Sequence, residues 1–354
     1  MPLDVAAFIA AHGLASAPEP AVVDHDLWAA VRHWVERDRL TGLACAALTA
    51  GQLVLEPEDE ADLAALDRVV QQRTVRAERL TLLVADRLAR LDVPFRVLKG
   101  PAVAHRAYAD PAHRPFRDVD VLVPSASIDQ VVQALMGDGA TRPVPELRRG
   151  FDRRFAKSVT LRHPDGIEID VHRTLCLGPL THLVREEDLW TAARAISPVP
   201  GHDLPALDDD LVFLHACLHA GAGGDTSPLA HRDIVELAPA ADLDRCTNLA
   251  RRWRATGVVA DALTSVRARF PVLDALEQWA STLESIAEER RIAEAYRPGR
   301  RSSRSLLVDG FRHLPDLRAK LAYARALALP SAAHRRARHL SAASLLHRAV
   351  GSGR

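Results

Sequence analysis

The chain changes its hydrophobic period twice along its length. In residues 1–90 apolar positions such as Leu63 and Leu66 recur at helical spacing. Between 91 and 205, short β-branched runs alternate with polar positions and predict strands that are interleaved with helices. Helical spacing returns over residues 206–354. We therefore predict an α+β chain of three parts, in which a small mixed sheet is flanked by N- and C-terminal helical regions.

Within the middle segment the pattern predicts four strands and two helices. The predicted strands are VLKG, DVDVLVP and the two arms of FAKSVTLRHPDGIEIDVHRTL, which a tight turn at 163–166 would join. The predicted helices begin at Pro101 and within SASIDQVVQALMGDG. The proline-rich segment ISPVPGHDLP is interpreted as a turn that delimits domains, and residues 297–305 as an exposed linker.

Composition narrows the classes of protein only slightly. The 354 residues carry no net charge, which indicates no general bias toward nucleic acid or anionic membranes. Residues 297–354 are basic, with thirteen Lys and Arg against two acids. Such a run is able to contact phosphate, but a solvated helical surface is the favoured interpretation.

Four scattered cysteines without a CxxC pair argue against a zinc knuckle or a disulfide framework, and buried thiols in a reducing compartment are expected. The first residues lack the features of a signal peptide, and no apolar run is long enough to span a bilayer. We therefore expect a cytoplasmic protein with no membrane partner.

The segment RDVDVLV places two acids in an otherwise apolar strand. Because side chains at i and i+2 point the same way, Asp118 and Asp120 share one face and the valines the other. Two adjacent carboxylates repel each other unless a cation lies between them. This pattern predicts half of a Mg²⁺ site. The alternative is an exposed edge strand, or salt bridges to Arg114 and Arg117.

The second hairpin repeats this alternation. In IEIDVH, the side chains of Glu168, Asp170 and His172 share one face of the strand. If this strand neighbours DVDVLV, Asp170 joins the two aspartates, and three carboxylates can hold two metal ions for an in-line phosphoryl displacement. Glu168 is equally well explained as a solvated neighbour, and His172 either makes a structural hydrogen bond or contacts a nucleotide or substrate.

Upstream of these strands lies a candidate phosphate site. A strand that ends in Gly100 and is followed by a helix can offer backbone N–H groups to phosphate. Lys99 would add a positive charge, and Arg114 and Arg117 would clamp phosphate oxygens.

In this order, LKG, a helix ending in Tyr108, Asp110-Pro111 with Arg114, DVDVLV and IDVH resemble the uncharacterised nucleotidyltransferase family of the polymerase-β-like superfamily. The likeness extends to LHACLHAG and HRDIVEL and covers roughly residues 80–270. The Gly-Ser or Gly-Gly pair usual in the superfamily is replaced here by Lys99 and Gly100 before Pro101.

The resemblance implies a nucleotidyltransferase core at 91–205 and a Mg²⁺-dependent enzyme. Asp118 and Asp120 would bind both metals, and Asp170 would bind the catalytic metal and help to deprotonate the attacking hydroxyl. An NTP would then transfer its nucleoside monophosphate, most simply AMP, to a hydroxyl or phosphate of a small-molecule or peptide acceptor, and pyrophosphate would leave. A role in natural-product tailoring is one expected context.

Two other functions stay open at this point. One is a toxin or antitoxin-type nucleotidyltransferase that acts on tRNA or protein, and the other is an inactive nucleotide-binding module. Outside the predicted core, His215 and His219 have the i, i+4 spacing of metal ligands but no evident third ligand, so packing is the favoured interpretation. Arg232 and Asp233 are expected to form a buried ion pair with each other.

Overall fold

The computed structural model describes residues 2–14, 19–223, 227–270, 274–297 and 302–338. Four helices form the N-terminal region, as the hydrophobic period predicts. They are α1 (Pro2–Ala11), α2 (His25–Arg37), α3 (Thr41–Thr49) and α4 (Pro57–Arg90). Two short strands that the sequence analysis did not predict, β1 (Ala21–Val22) and β2 (Leu53–Val54), pair in parallel between these helices.

The sheet of the middle segment has six strands, two more than predicted. They are β3 (Arg96–Val97), β4 (Val119–Leu122), β5 (Ser158–Arg162), β6 (Glu168–His172), β7 (Arg194–Val199) and β8 (His202–Ala206), in the spatial order β5-β6-β4-β3-β8-β7. The connecting helices are α5 (Lys99–Ala107), α6 (Ile128–Gly137), α7 (Asp152–Phe155) and α8 (Leu180–Leu183). The sheet is mixed, because β4 pairs in parallel with β6 and antiparallel with β3.

The two unpredicted strands come from ISPVPGHDLP, so its interpretation as a domain-delimiting turn was wrong. This segment forms the antiparallel hairpin β7–β8, with Gly201 at φ +81° between the strands. Pro198 is tolerated because β7 lies at the edge of the sheet, where an N–H group need not be donated to a neighbour.

The C-terminal region is helical, as predicted. Its helices are α9 (Asp209–Gly221), α10 (Pro228–Leu237), α11 (Leu243–Arg252), α12 (Thr256–Arg267), α13 (Asp274–Thr282), α14 (Ala287–Tyr296), α15 (Ser303–Arg312), α16 (Leu317–Ala328) and α17 (Ala332–Ala337). The predicted linker at 297–305 falls partly outside the described residues, and its end instead begins α15. None of the helices in the described ranges combines the length and the apolar character needed to cross a membrane.

Two large apolar cores lie on either side of the sheet. One core packs α4 and α6 against the sheet face that carries Val119, Val121 and Val123. The other joins α1–α3 with α9–α14 and contains the buried Cys176, Cys217 and Cys246. Helices from both ends of the chain therefore share one core, and the division at residues 90 and 205 stays a prediction.

Candidate active site

The register of β4 and β6 brings two carboxylates together. The two strands are parallel neighbours, and Asp120 lies directly beside Asp170. Cross-strand neighbours point to the same face of a sheet. The face opposite the buried valines therefore carries both acids, as expected if IEIDVH and DVDVLV were adjacent. Because β4 is an inner strand with every residue buried, the alternative of an exposed edge strand is excluded.

Asp120 is 2% exposed and receives two short contacts on the same oxygen. Lys99 Nζ and His172 Nε2 both lie 2.6 Å from Asp120 Oδ1. Burial alone would raise the pKa of Asp120, but the charge of Lys99 and the hydrogen bond from His172 outweigh it and hold this pKa well below its usual range. Asp120 is therefore ionised at neutral pH.

The side chain of His172 is fully buried, which favours the neutral form of its imidazole ring. Burial lowers the pKa of His172 despite the adjacent Asp120. A neutral imidazole that donates Nε2–H to Asp120 leaves Nδ1 as an acceptor, and Nδ1 is buried without a hydrogen-bond partner. For Nε2, the nitrogen beside the carboxylates, to bind a metal instead, Nδ1 would have to carry the proton and donate it, and Nδ1 has no acceptor. His172 therefore fits better as a donor that orients Asp120 than as a metal ligand, and its predicted contact with a nucleotide stays a prediction.

The residues present fit a divalent cation. Ligand atoms of Asp120, Asp170 and His172 lie within 4.8 Å of one another. Asp118, one residue before β4, adds a third carboxylate, and burial and then the charge of Asp120 raise its pKa, outweighing Lys99. After burial, repulsion between the carboxylates of Asp118 and Asp120 is the next cause of this raised pKa. A hard cation bound by carboxylate oxygens would relieve this repulsion. The metal-binding roles of Asp118, Asp120 and Asp170 stay predictions.

Asp170 has one further partner on the hairpin. Thr160 Oγ1 donates a 2.5 Å hydrogen bond to Asp170 Oδ1 from the adjacent strand β5. Glu168, on the same face, is exposed and pairs with Arg162 at 3.1 Å. This placement supports the interpretation of Glu168 as a solvated neighbour.

Helix α5 begins beside the carboxylates. Lys99, its first residue, has φ +45°, a left-handed conformation that costs a non-glycine residue about 1–3 kcal/mol. A Cβ on Gly100 would lie 2.7 Å from the ring of Phe116, so glycine is required here by close packing. The sequence analysis attributed this glycine to phosphate approach, whereas the structure also gives it a packing reason.

A polar cavity of about 290 Å³ opens at this helix start. Its lining contains the predicted phosphate ligands Lys99, Gly100, Arg114 and Arg117 together with Asp118. It also contains Arg37 at the end of α2, and Asp38 and Arg39 from the loop that follows. Sequence reasoning missed these N-terminal residues, because nothing in the local pattern of RDR signals proximity to a strand 80 residues later.

Arg114, which lines this cavity, also pairs with a carboxylate on α10. Its guanidinium makes a bidentate ion pair with Asp233 of α10, at 3.2 and 2.7 Å, and Tyr108 donates to the same carboxylate at 2.8 Å. Asp233 raises the pKa of Arg114 although burial opposes it. Tyr108, Arg114 and Asp233 are called the Asp233 cluster below. The role of Arg114 in nucleotide binding stays a prediction.

The expected pair between Arg232 and Asp233 was wrong. Arg232 instead bonds Glu236 at 2.6 Å and the backbone carbonyls of Ala10 and His12. Neighbouring positions on a helix point in different directions, so adjacent charges seldom pair with each other. Arg232 thereby ties α1 to α10.

Two further buried groups lie close to the carboxylates. Burial and then repulsion from Lys99 lower the pKa of Lys157, which the sequence analysis did not single out. Burial also drives the pKa of His215 well below its usual value, and His215 Nε2 has no hydrogen-bond partner. The ring centroid of His219 lies 6.5 Å from that of His215, and His219 reaches the polar cavity.

The class of protein follows from the match to a family model. The chain belongs to the family described as uncharacterised nucleotidyltransferase, whose model matches residues 24–271. Among solved structures it is similar to an antigenic nucleotidyltransferase-like protein from Paracoccidioides brasiliensis, with 16% identity, 57% of this chain and 96% of that chain covered, and a TM-score of 0.33. No curated protein matches the chain.

Proposed function

We propose that this protein is a Mg²⁺-dependent nucleotidyltransferase that moves a nucleoside monophosphate, most simply AMP, from an NTP to an acceptor hydroxyl or phosphate. The observation that carries the proposal is the register of β4 and β6, which places Asp120 beside Asp170 next to the start of α5. Family membership supports the same class of reaction.

The chain's own groups have distinct tasks in this proposal. Asp118, Asp120 and Asp170 would hold two Mg²⁺ ions, which offset the charge of the triphosphate. Lys99 and His172 fix the orientation of Asp120 through their 2.6 Å contacts. The N–H groups at the start of α5, with Arg117 and Arg39 in the same cavity, bind phosphate oxygens.

The transfer step needs one base and one leaving group. The acceptor oxygen attacks the α-phosphorus, its proton passes to Asp170, and the bond from the α-phosphorus to pyrophosphate breaks. Pyrophosphate leaves toward the cationic cavity at Lys99 and Arg117. Natural-product tailoring is the biosynthetic setting that we propose for this transfer.

The test uses NTP labelled at either the α- or the γ-phosphate, with Mg²⁺ and fractionated small-molecule, peptide and RNA acceptors. We expect the α-label to appear on an acceptor and the γ-label only in pyrophosphate. Asp118→Asn should abolish the transfer and leave the unfolding temperature within about 2 °C of wild type. Full activity in this variant, or transfer of the γ-label, refutes the assignment.

A further inference from the structure

A second cationic cavity lies between α7 and α16, outside the carboxylate site. It measures about 360 Å³, and its lining includes Arg148, Arg149, Arg154 and Arg325 but, among the described residues, no acidic side chain. The polar cavity beside Asp118, by contrast, mixes cations with two aspartates.

The acids near this second cavity are already paired. Asp152 bonds Arg142 at 2.6 Å, and Glu146 accepts a hydrogen bond from the backbone N–H of Asp152 at 3.0 Å. Asp129 lies 3.7 Å from Arg153, which does not line the cavity. None of these contacts involves an arginine that lines the cavity.

An aromatic cluster keeps the cavity in shape. The rings of Phe151 and Phe155 on α7 pack on Tyr323 of α16, with centroids 5.7 and 5.2 Å from that of Tyr323. All three side chains are buried. Packing among these rings therefore holds α7 and α16 together, and it offsets the repulsion between the guanidinium groups that line the cavity.

The basic surface continues beyond the cavity along α17. Ser331 lines the cavity, and its backbone N–H donates to Leu147 at 2.7 Å, which pins the start of α17 beside it. Arg335, Arg336 and Arg338 follow. Six helical residues extend about 9 Å, which is longer than one phosphate group. The cavity and α17 together therefore offer cations over a longer stretch than a small phosphate ester presents.

We propose that the cavity and α17 bind the phosphodiester backbone of a nucleic acid. Phe155 precedes Ser158 of β5 by three residues, a span of about 10 Å, and Ser158 pairs with His172. A strand bound at the cavity thus lies near the carboxylate site. The binding site itself goes beyond the proposed function and does not depend on it.

The test is fluorescence anisotropy of the full chain with a labelled RNA hairpin that carries a single-stranded tail, and with its DNA counterpart. The cavity variant R149A/R154A/R325A is compared with R68A/R76A/R251A, which removes three exposed arginines elsewhere and the same total charge. We expect the cavity variant to bind about tenfold more weakly and its salt slope to fall by about 2, from three lost contacts at about 0.7 each. The control variant should stay within about twofold of wild type.

Three results overturn the proposal. One is no binding of either probe by wild type at about 50 mM salt, and another is an equal loss in the two triple variants. The third is full displacement of the RNA by millimolar inorganic phosphate at constant ionic strength, which would mark a small-phosphate site. Asp118→Asn should bind RNA as wild type does, so failure of the catalytic assignment and failure of this one are separate outcomes.

Discussion

Two buried aspartates of this chain each meet a cation, yet their surroundings differ. Asp233 uses both carboxylate oxygens, which accept from Arg114 and Tyr108. Asp120 receives Lys99 and His172 on one oxygen and lies beside a second carboxylate, Asp170. The Asp233 cluster is therefore closed, whereas the carboxylate site (Asp118, Asp120, Asp170, Lys99 and His172) brings three carboxylates together beside Lys99 and the nearby Lys157.

This difference distinguishes a structural ion pair from a site built for a ligand. The ion pair between Arg114 and Asp233 joins α10 to the segment between α5 and β4, and its two charges neutralise each other. The carboxylate site keeps like charges side by side, a buried nitrogen on His172 without a partner, and a polar cavity alongside. Adjacent carboxylates repel each other unless a cation lies between them.

The largest expected effect is on catalysis at Asp170. Asp170→Asn should lower nucleotidyl transfer by at least about 1000-fold, equivalent to about 4 kcal/mol, because it removes both a metal ligand and the proposed base. The matched control is Glu168→Gln, two residues away on the same face but exposed and paired with Arg162. Label transfer from α-labelled NTP measures both variants. Equal losses would remove Asp170 from the site.

Asp233→Asn should act on stability rather than on chemistry. Leaving Arg114 buried without its partner is expected to cost about 3 kcal/mol in the free energy of unfolding, measured with urea. The control is Asp261→Asn, whose partner Arg297 is exposed, so we expect a loss under about 1 kcal/mol. If Asp233→Asn instead stays stable and loses transfer activity per folded molecule, Arg114 acts in the site and the contrast between the two clusters fails.

Two glycine substitutions should shift stability in opposite directions. Gly100→Ala forces the ring of Phe116 to move and is expected to destabilise the fold by about 1–3 kcal/mol. Gly137→Ala lies in α6 with no atom within 4 Å of the added Cβ, and should stabilise by up to about 1 kcal/mol. Thermal unfolding measures both. A neutral Gly100→Ala would mean that this glycine serves phosphate approach rather than packing.

The smallest expected effect is a pH dependence from His215. The pKa of His215 in the folded protein lies well below its value in the unfolded chain. The neutral, buried ring therefore costs no stability above about pH 6.5. As the pH falls below that value, the unfolded chain takes up a proton that the folded protein does not, and stability is lost. Between about pH 6.5 and 5.5, wild type should lose about 1 kcal/mol more than His215→Gln. The exposed His202→Gln should keep the wild-type dependence in urea unfolding. If wild type, His215→Gln and His202→Gln showed the same dependence of unfolding free energy on pH, the assignment of this dependence to His215 would be contradicted.

Several features of the site were predictable because they depend on short-range periodicity. The alternation in DVDVLV fixed which residues face the core, and the structure buries Val119, Val121 and Val123 together. The turn in HPDG joined β5 to β6 as predicted, since glycine suits its left-handed position at Gly166. The family resemblance was confirmed by the match over residues 24–271.

Other features depended on contacts between distant segments. The hairpin β7–β8 was missed because its prolines weigh against strand formation, and the edge position of β7 that makes Pro198 acceptable follows only from the fold. Arg37 and Arg39 reach the cavity beside Asp118 through packing of the N-terminal helices. The partner of Arg114 lies 119 residues away, and no local pattern chooses between Asp233 and a phosphate.

The sequence alone determined the α+β class, the strand faces and the two acidic motifs, because side-chain direction repeats every two residues in a strand and every 3.6 in a helix. The tertiary structure decided which strands are neighbours, which charges are paired and which like charges lie side by side. That decision depends on burial, because a charge removed from water must find its partner among whatever residues the fold brings within reach. Lys99 and His172 at Asp120, and Arg114 at Asp233, are those partners here.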